Sequence, residues 1–185
     1  MRPSNRAAAL DAALTVMNDV DGGSITLDGV ARAAGMTKPG LMYHFPTREA
    51  LLLAIVDHAA DRLEQALIEV VGGPADTASP AERIRAYVKV VADGTASRAE
   101  YAIFTEAAYR PELTGPWTQR MSVWFELPPD LDPAQRVTLQ TARLAADGLW
   151  AAQATGVFPP DSTECAAIVA FLDSLTTPPA RTDHT

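Results

Sequence analysis

A chain of 185 residues with 48% hydrophobic side chains can bury a core in one or two small domains, which excludes disorder as its default state. It has no long uncharged apolar run, and Arg2, Arg6 and Asp11 interrupt the stretch a secretion signal would need, so a cytoplasmic chain without a membrane partner is expected. The single cysteine, Cys165, excludes an intrachain disulfide, and His44, His58 and His184 are too scattered for a zinc site, so neither a metal nor a cofactor is expected. The net charge of −8 is unevenly spread: residues 1–50 balance Arg2, Arg6, Arg32, Lys38 and Arg48 against Asp11, Asp19, Asp21, Asp28 and Glu49, so the whole acidic excess lies beyond residue 50. A neutral head of this kind could approach DNA while an acidic body is repelled from it.

Alternating β-branched and aromatic runs are absent and alanine-rich stretches with three-to-four spacing recur, which predicts an all-α protein. A first helix starts near Ser4, aligns Leu10, Ala13, Leu14 and Met17, and ends at Asp21-Gly22-Gly23. Thr26 caps a short helix carrying Leu27, Val30, Ala31 and Ala34, which Gly35 stops in a left-handed conformation. Thr37 caps another that tolerates Pro39 in its first turn, turns Leu41 and Phe45 inward and closes at Pro46. Thr47 starts a long helix with a stripe through Leu51, Leu52, Ile55, Ala59, Leu63, Leu67 and Val70, ending at Gly72-Gly73. Ser79 to Glu82 has capping-box spacing, and Ser97 with Glu100 repeats it before a helix that stops at Pro111. Thr114 to Phe125 forms a short aromatic helix, broken by Pro128-Pro129. Asp132-Pro133 opens a helix to Thr155 that Gly156 ends, and Asp161 or Ser162 caps a last helix to about Leu175, before a frayed tail from Thr176.

The two short helices around Gly35-Met36-Thr37 have helix-turn-helix dimensions. Residues 27–51 read LDGVARAAGMTKPGLMYHFPTREAL, with an apolar-Ala pair, Ala-Gly, an aromatic-His-Phe run and a basic-Glu-x-Leu helix start. This wording resembles the signature of the tetracycline-repressor family. The resemblance implies an N-terminal three-helix helix-turn-helix domain over 1–46, then a helical-bundle ligand-binding and dimerisation domain over 47–185. It further implies a DNA-binding transcriptional repressor, not an enzyme, that holds a palindromic or pseudo-palindromic operator as a homodimer and is released by a small, mostly apolar effector.

By the same resemblance, Thr26 and Thr37 are DNA-backbone positions, where helix N-terminal amides and a hydroxyl can hold a phosphate oxygen. Lys38 can reach the O6 and N7 acceptors of guanine, Pro39 offers apolar surface to a thymine methyl, and Gly40 allows close approach. Tyr43 suits base-edge contact, His44 suits phosphate contact, and Arg48 stands where the family usually has a lysine phosphate clamp. Met42 departs from the family's usual tyrosine and removes a phosphate-binding hydroxyl. The Lys-Pro-Gly run is poor in hydrogen-bonding side chains, which leaves part of the specificity to DNA shape. Against these roles stands a trihelical core unit without DNA. Arg2 and Arg6 read either as a minor-groove arm or as a solvated terminus, and His58 beside Asp57 and Asp61 either as acid-base chemistry or as surface pairing with Arg62.

Tyr87, Tyr101, Phe104, Tyr109, Trp117, Met121, Trp124 and Phe125 concentrate amphipathic bulk in the central helices, fitting either a ligand cavity or ordinary core. Tyr101, Phe104, Trp117, Met121 and Trp124 are the candidate ligand contacts, with Glu106 and Arg110 either orienting a polar group or lying on the surface. The last two long helices expose small and apolar positions, Leu144, Ala145, Gly148, Leu149, Ala152, Ile168, Val169, Phe171 and Leu172, suited to a four-helix homodimer interface. Trp150 and Phe158 fit that interface or a pocket floor. Two other readings are a regulator controlled by a partner protein and an all-helical enzyme. The enzyme lacks a nucleophile-base set, a glycine-rich phosphate loop and a metal cluster.

Overall fold

The computed structural model describes residues 5–19, 25–93, 98–107 and 110–177. Among the described residues there are nine α-helices and no strand. The helices are α1 (Asn5–Asp19), α2 (Leu27–Ala33), α3 (Lys38–His44), α4 (Arg48–Val71), α5 (Pro80–Ala92), α6 (Arg98–Ala107), α7 (Thr114–Phe125), α8 (Pro133–Thr155) and α9 (Ser162–Thr176). The expected stop at Asp21 to Gly23, the Ser97 cap, Tyr109, Arg2, Ser4 and the tail beyond Thr177 lie outside the described residues.

Side-chain caps set most boundaries, because the first amides of a helix have no intrahelical acceptor. Thr26, Thr37 and Thr47 accept from the amides of Gly29, Gly40 and Ala50 at 3.1, 3.2 and 3.0 Å. Full capping boxes form at Ser79 with Glu82 and at Asp161 with Glu164, and Asp132 accepts from the Gln135 amide. Gly35, Gly72 and Gly156 end their helices at φ of 65°, 84° and 71°. Pro111 opens a 3₁₀ turn, Pro111–Leu113, that runs into α7, whereas α6 is described only to Ala107.

The chain forms two compact units, one of residues 1–64 with 97–121 and the other of 65–96 with 122–185, so α4 and α7 each contribute to both. In the first unit Leu10, Leu14, Val30, Leu41, Phe45, Leu52 and Ile55 form one buried cluster. Ala99, Ile103 and Leu113, from α6 and the 3₁₀ turn, belong to the same cluster, and Asn18 Oδ1 accepts from the Ala99 amide at 2.8 Å. The helix-turn-helix core therefore includes residues 55 to 69 positions beyond the end of α3 at His44.

In the second unit α5 packs on α8 and α9 through Ile84, Tyr87, Val88 and Val91. The Tyr87 hydroxyl donates to Asp147 Oδ1 at 2.7 Å, Arg143 pairs with Asp147 Oδ2 at 2.6 Å, and the Phe125 ring meets Tyr87 edge-on at 4.8 Å. Burial, reinforced by the Asp147 carboxylate, pushes the Tyr87 hydroxyl well above its ordinary pKa and keeps it a donor. Among the described residues no helix is long and apolar enough to cross a membrane.

Candidate nucleic-acid interface

The two helices α2 and α3 are built with one local device used twice. In Thr26-Leu27-Asp28-Gly29 and in Thr37-Lys38-Pro39-Gly40, a threonine caps the helix through the amide of a glycine three residues on. A Cβ at either glycine would stand 3.1 Å from the threonine Oγ1, tighter than ordinary contact. Gly40 thus serves its own helix cap, besides the close approach to DNA expected of it. Between the helices, left-handed Gly35 turns the chain and the Met36 amide donates to the Ala31 carbonyl at 2.8 Å.

Helix α3 buries Leu41 and Phe45 completely and leaves Lys38, Pro39, Met42 and Tyr43 in solvent. Tyr43 is 87% exposed, a cost in apolar hydration that packing within the chain does nothing to relieve. His44 is half-buried, its ring 5.3 Å from Tyr43 and 6.2 Å from Phe45.

The cations of this face are engaged. Lys38 Nζ lies 2.9 Å from Asp28 Oδ2, an exposed pair that joins the first turns of α2 and α3 and is worth about 0–1 kcal/mol. Arg48 Nε donates to the Ile25 carbonyl at 2.9 Å, tying the start of α4 to the strand of chain that leads into α2. Arg6 is helical and sits over the Phe45 ring at 5.3 Å, so it is part of α1 and not of an extended arm. His58 pairs with Asp11 of α1 at 2.7 Å and not with Arg62, a fellow base that lies 3.9 Å from Glu100 instead. Asp57, Asp61 and Glu64 instead surround Arg120, whose pKa the hydrogen bonds to Glu64 and Asp57 push up.

Of the candidate ligand residues, Phe104 and Trp117 come together, ring centroids 6.0 Å apart, in a cleft of about 60 Å³ within the first unit. Val56 and Ala59 of α4, Glu100 and Ile103 of α6, and Leu113, Thr114 and Thr118 complete its lining. Tyr101, Met121 and Trp124 do not line it: Tyr101 is half-buried, and Met121 and Trp124 are fully buried. Glu100, Ile103 and Phe104 share one face of α6 by their i, i+3, i+4 spacing, whereas Tyr101 falls off it. The side chains of Glu106 and Tyr109 lie outside the described residues, and Arg110 pairs with Glu49 at 3.0 Å and Glu112 at 3.2 Å. Trp150 is buried in the second unit, whereas Phe158 is 96% exposed.

Sequence reasoning missed Asp28, the Ile25 carbonyl and Glu100. Only Glu100 left a signal, its helical spacing from Phe104; the other two are partners 10 and 23 residues away from Lys38 and Arg48.

The sequence family described as tetracyclin repressor-like, C-terminal domain, matches residues 81–177, more than half of the chain, and that described as bacterial regulatory proteins, tetR family, matches 9–55. The chain belongs to the tetracycline-repressor family. The three-helix head and the helical remainder described above are the family's two parts, and the second match ends within α4. Among relatives in this family, the HTH-type transcriptional regulator EthR of Mycobacterium tuberculosis is 33% identical over 79 residues, 41% of this chain and 37% of EthR. The HTH-type transcriptional regulator BetI of Rhizobium meliloti is 34% identical over 91 residues, 49% of this chain and 43% of BetI. The chain thus matches well under half the length of either. A tetracycline-repressor-family crystal structure from Rhodococcus sp. superposes with a TM-score of 0.67 at 20% identity, covering 95% of this chain and all of that one. The multidrug binding protein EbrR, complexed with imidazole, gives 0.62 at 19% identity over 98% of this chain and 99% of its own.

Proposed function

We propose that this tetracycline-repressor-family chain is a cytoplasmic transcriptional repressor, not an enzyme, with residues 1–46 holding operator DNA and 47–185 sensing an effector and dimerising. The observation that carries the reading is the exposed edge of α3, where Lys38, Pro39 and Tyr43 project from a helix anchored by Leu41 and Phe45. Thr26 and Thr37 present capped N-termini to phosphate, Gly40 keeps the second cap tight, and His44 and Arg48 flank the same surface. Because Lys38 is held by Asp28, reading a guanine requires exchanging one anion for the acceptors of the base. An operator selected from random-sequence DNA should therefore bind Lys38→Ala about 10- to 100-fold more weakly, with a smaller loss on unselected DNA. Asp28→Ala should tighten both a few-fold, and much less so in the Lys38→Ala background. Fluorescence anisotropy of the four proteins decides this, and equal losses on both DNAs in Lys38→Ala would remove Lys38 from base reading.

A second copy of this chain is the proposed partner across α8 and α9. Helix α9 buries only Leu172 and Thr176 and leaves Ile168 and Phe171 exposed, as α8 does Leu144. Between the helices Phe158 is exposed at φ 47°, a conformation that bulky residues adopt only under strain. A two-fold operator needs a two-fold protein, and this apolar face supplies the self-complementary surface.

The effector site we assign to the cleft at Phe104 and Trp117, without Tyr101, Met121 and Trp124, which do not line it. The apolar lining favours a small molecule over a protein as the controlling partner. A ligand there presses directly on Val56 and Ala59 of α4, the helix whose first turn is tied to Ile25 by Arg48 and to Arg110 by Glu49. Effector and operator should each weaken the other by the same factor, about 5- to 150-fold. Effector titrations with and without operator check the equality, and identical affinities would uncouple the cleft from DNA.

A further inference from the structure

Helices α4 and α7 both line the cleft, through Val56 and Ala59 on one and Thr114, Trp117 and Thr118 on the other. The same two helices are joined by a charged contact one turn farther along α7. Arg120, three residues beyond Trp117, meets a row of three carboxylates on α4. Its Nη2 donates to Asp57 Oδ1 at 3.0 Å, and its Nη1 donates to Asp61 Oδ1 at 3.1 Å and to Glu64 Oε2 at 2.9 Å. Spacings of four and seven residues from Asp57 put all three on one side of the helix, a row about 10 Å long at 1.5 Å per residue. Arg120 Nε is buried without an acceptor, so the guanidinium is held by its terminal nitrogens alone. Asp57 and Asp61 are about half exposed, and partly solvated pairs of this kind are individually weak, so losing one while another is kept costs little. A fixed brace needs a single carboxylate. Further acceptors in line are what a change of register uses.

We propose that Arg120 is a sliding latch with two registers: in one it grips Asp57 and Asp61, in the other Asp61 and Glu64, and the choice sets where α4 stands along α7. This inference rests on the reading of residues 1–46 as the operator-binding head. A switch needs an element with two arrangements of similar free energy, and a row of interchangeable acceptors supplies one, because Asp61 stays bound while Asp57 and Glu64 trade places. The first turns of α4 carry the displacement to the head, since Arg48 is tied to the Ile25 carbonyl and Leu51, Leu52 and Ile55 are buried in the head's core. An occupant of the cleft bears on Val56, Ala59 and Trp117, within one turn of Asp57 and Arg120, and so favours one register over the other. Arg120 does not line the cleft; it is a positioning residue that acts through α4.

Fluorescence anisotropy of the full-length protein on an operator selected from random-sequence DNA tests the proposal, with no effector present. Asp57→Asn and Glu64→Gln preserve side-chain shape and bias Arg120 toward opposite ends of the row. They should therefore shift operator affinity in opposite directions, each by about 2- to 30-fold. In the Arg120→Met background nothing chooses between the ends, and both should instead give the same small gain that follows from removing one negative charge from a DNA-binding protein. Circular dichroism and the urea midpoint record whether each variant is folded, and Arg120→Gln repeats the background should Arg120→Met fail to fold. Shifts of the same sign in the protein that retains Arg120, or a shift in fewer than both variants, overturn the two registers and leave Arg120 as a fixed brace. Opposite shifts that persist without Arg120 overturn the latch as well, because the choice would then be made elsewhere. Failure of the unsubstituted protein to select any operator is a separate result: it overturns the reading of the head, and the latch with it.

Discussion

Replacing Leu144 and Phe171 together by glutamate is expected to yield a folded monomer whose operator affinity is about 100- to 10,000-fold lower, the range of avidity lost when two linked reading heads become independent. Both side chains are more than half exposed, at 56% and 62%, so the charges add no burial penalty to the lone chain. In an assembled interface each would be desolvated opposite a copy of itself, and like charges brought together without partners are strongly unfavourable. Sedimentation shows the assembly state, circular dichroism the retained helix, and anisotropy the operator affinity. A dimer that persists with both glutamates would move the interface away from α8 and α9. Phe158 offers a finer probe at the same face: Phe158→Gly relieves the positive φ of the free chain and removes the exposed ring. It should make the monomer more stable and the dimer weaker, two effects of opposite sign that ordinary core damage does not produce.

Phe45→Ala is expected to cost about 3–5 kcal/mol, the range for emptying a fully buried aromatic site. Phe45 is 1% exposed at the end of α3, inside the cluster that unites Leu10, Val30, Leu52 and Ile103, and Arg6 covers its ring. Marginal stabilities of about 5–15 kcal/mol leave little after such a loss, so the urea midpoint should fall steeply and DNA binding should vanish with it. Tyr43→Ala, two residues earlier and 87% exposed, should hold the unfolding free energy within about 0.5 kcal/mol while weakening DNA. The two substitutions separate what supports α3 from what α3 presents. A stable Phe45→Ala protein would contradict the packing described for this cluster.

Much of this protein was determined by neighbours in sequence. Thr26, Thr37, Thr47, Ser79, Asp132 and Asp161 mark where helices begin, and Gly35, Gly72 and Gly156 where three of them end, because capping and left-handed turns are satisfied within four residues of chain. The inward faces of Leu41 and Phe45 followed from helical spacing, and the family from the residues between Leu27 and Leu51. What lies farther apart was decided by tertiary structure. Which anion holds Lys38, which carbonyl holds Arg48, and which carboxylate reaches His58 depend on distances between helices, and local periodicity carries no such distance. The aromatic stretch from Tyr101 to Trp124 shows the same division. Its composition marked a hydrophobic region, but the helix faces and the 3₁₀ turn at Pro111 put Phe104 and Trp117 at a cleft with Glu100, while Met121 and Trp124 went to full burial. Side-chain size is set residue by residue; which sizes end up around a common space is set by how α4, α6 and α7 pack.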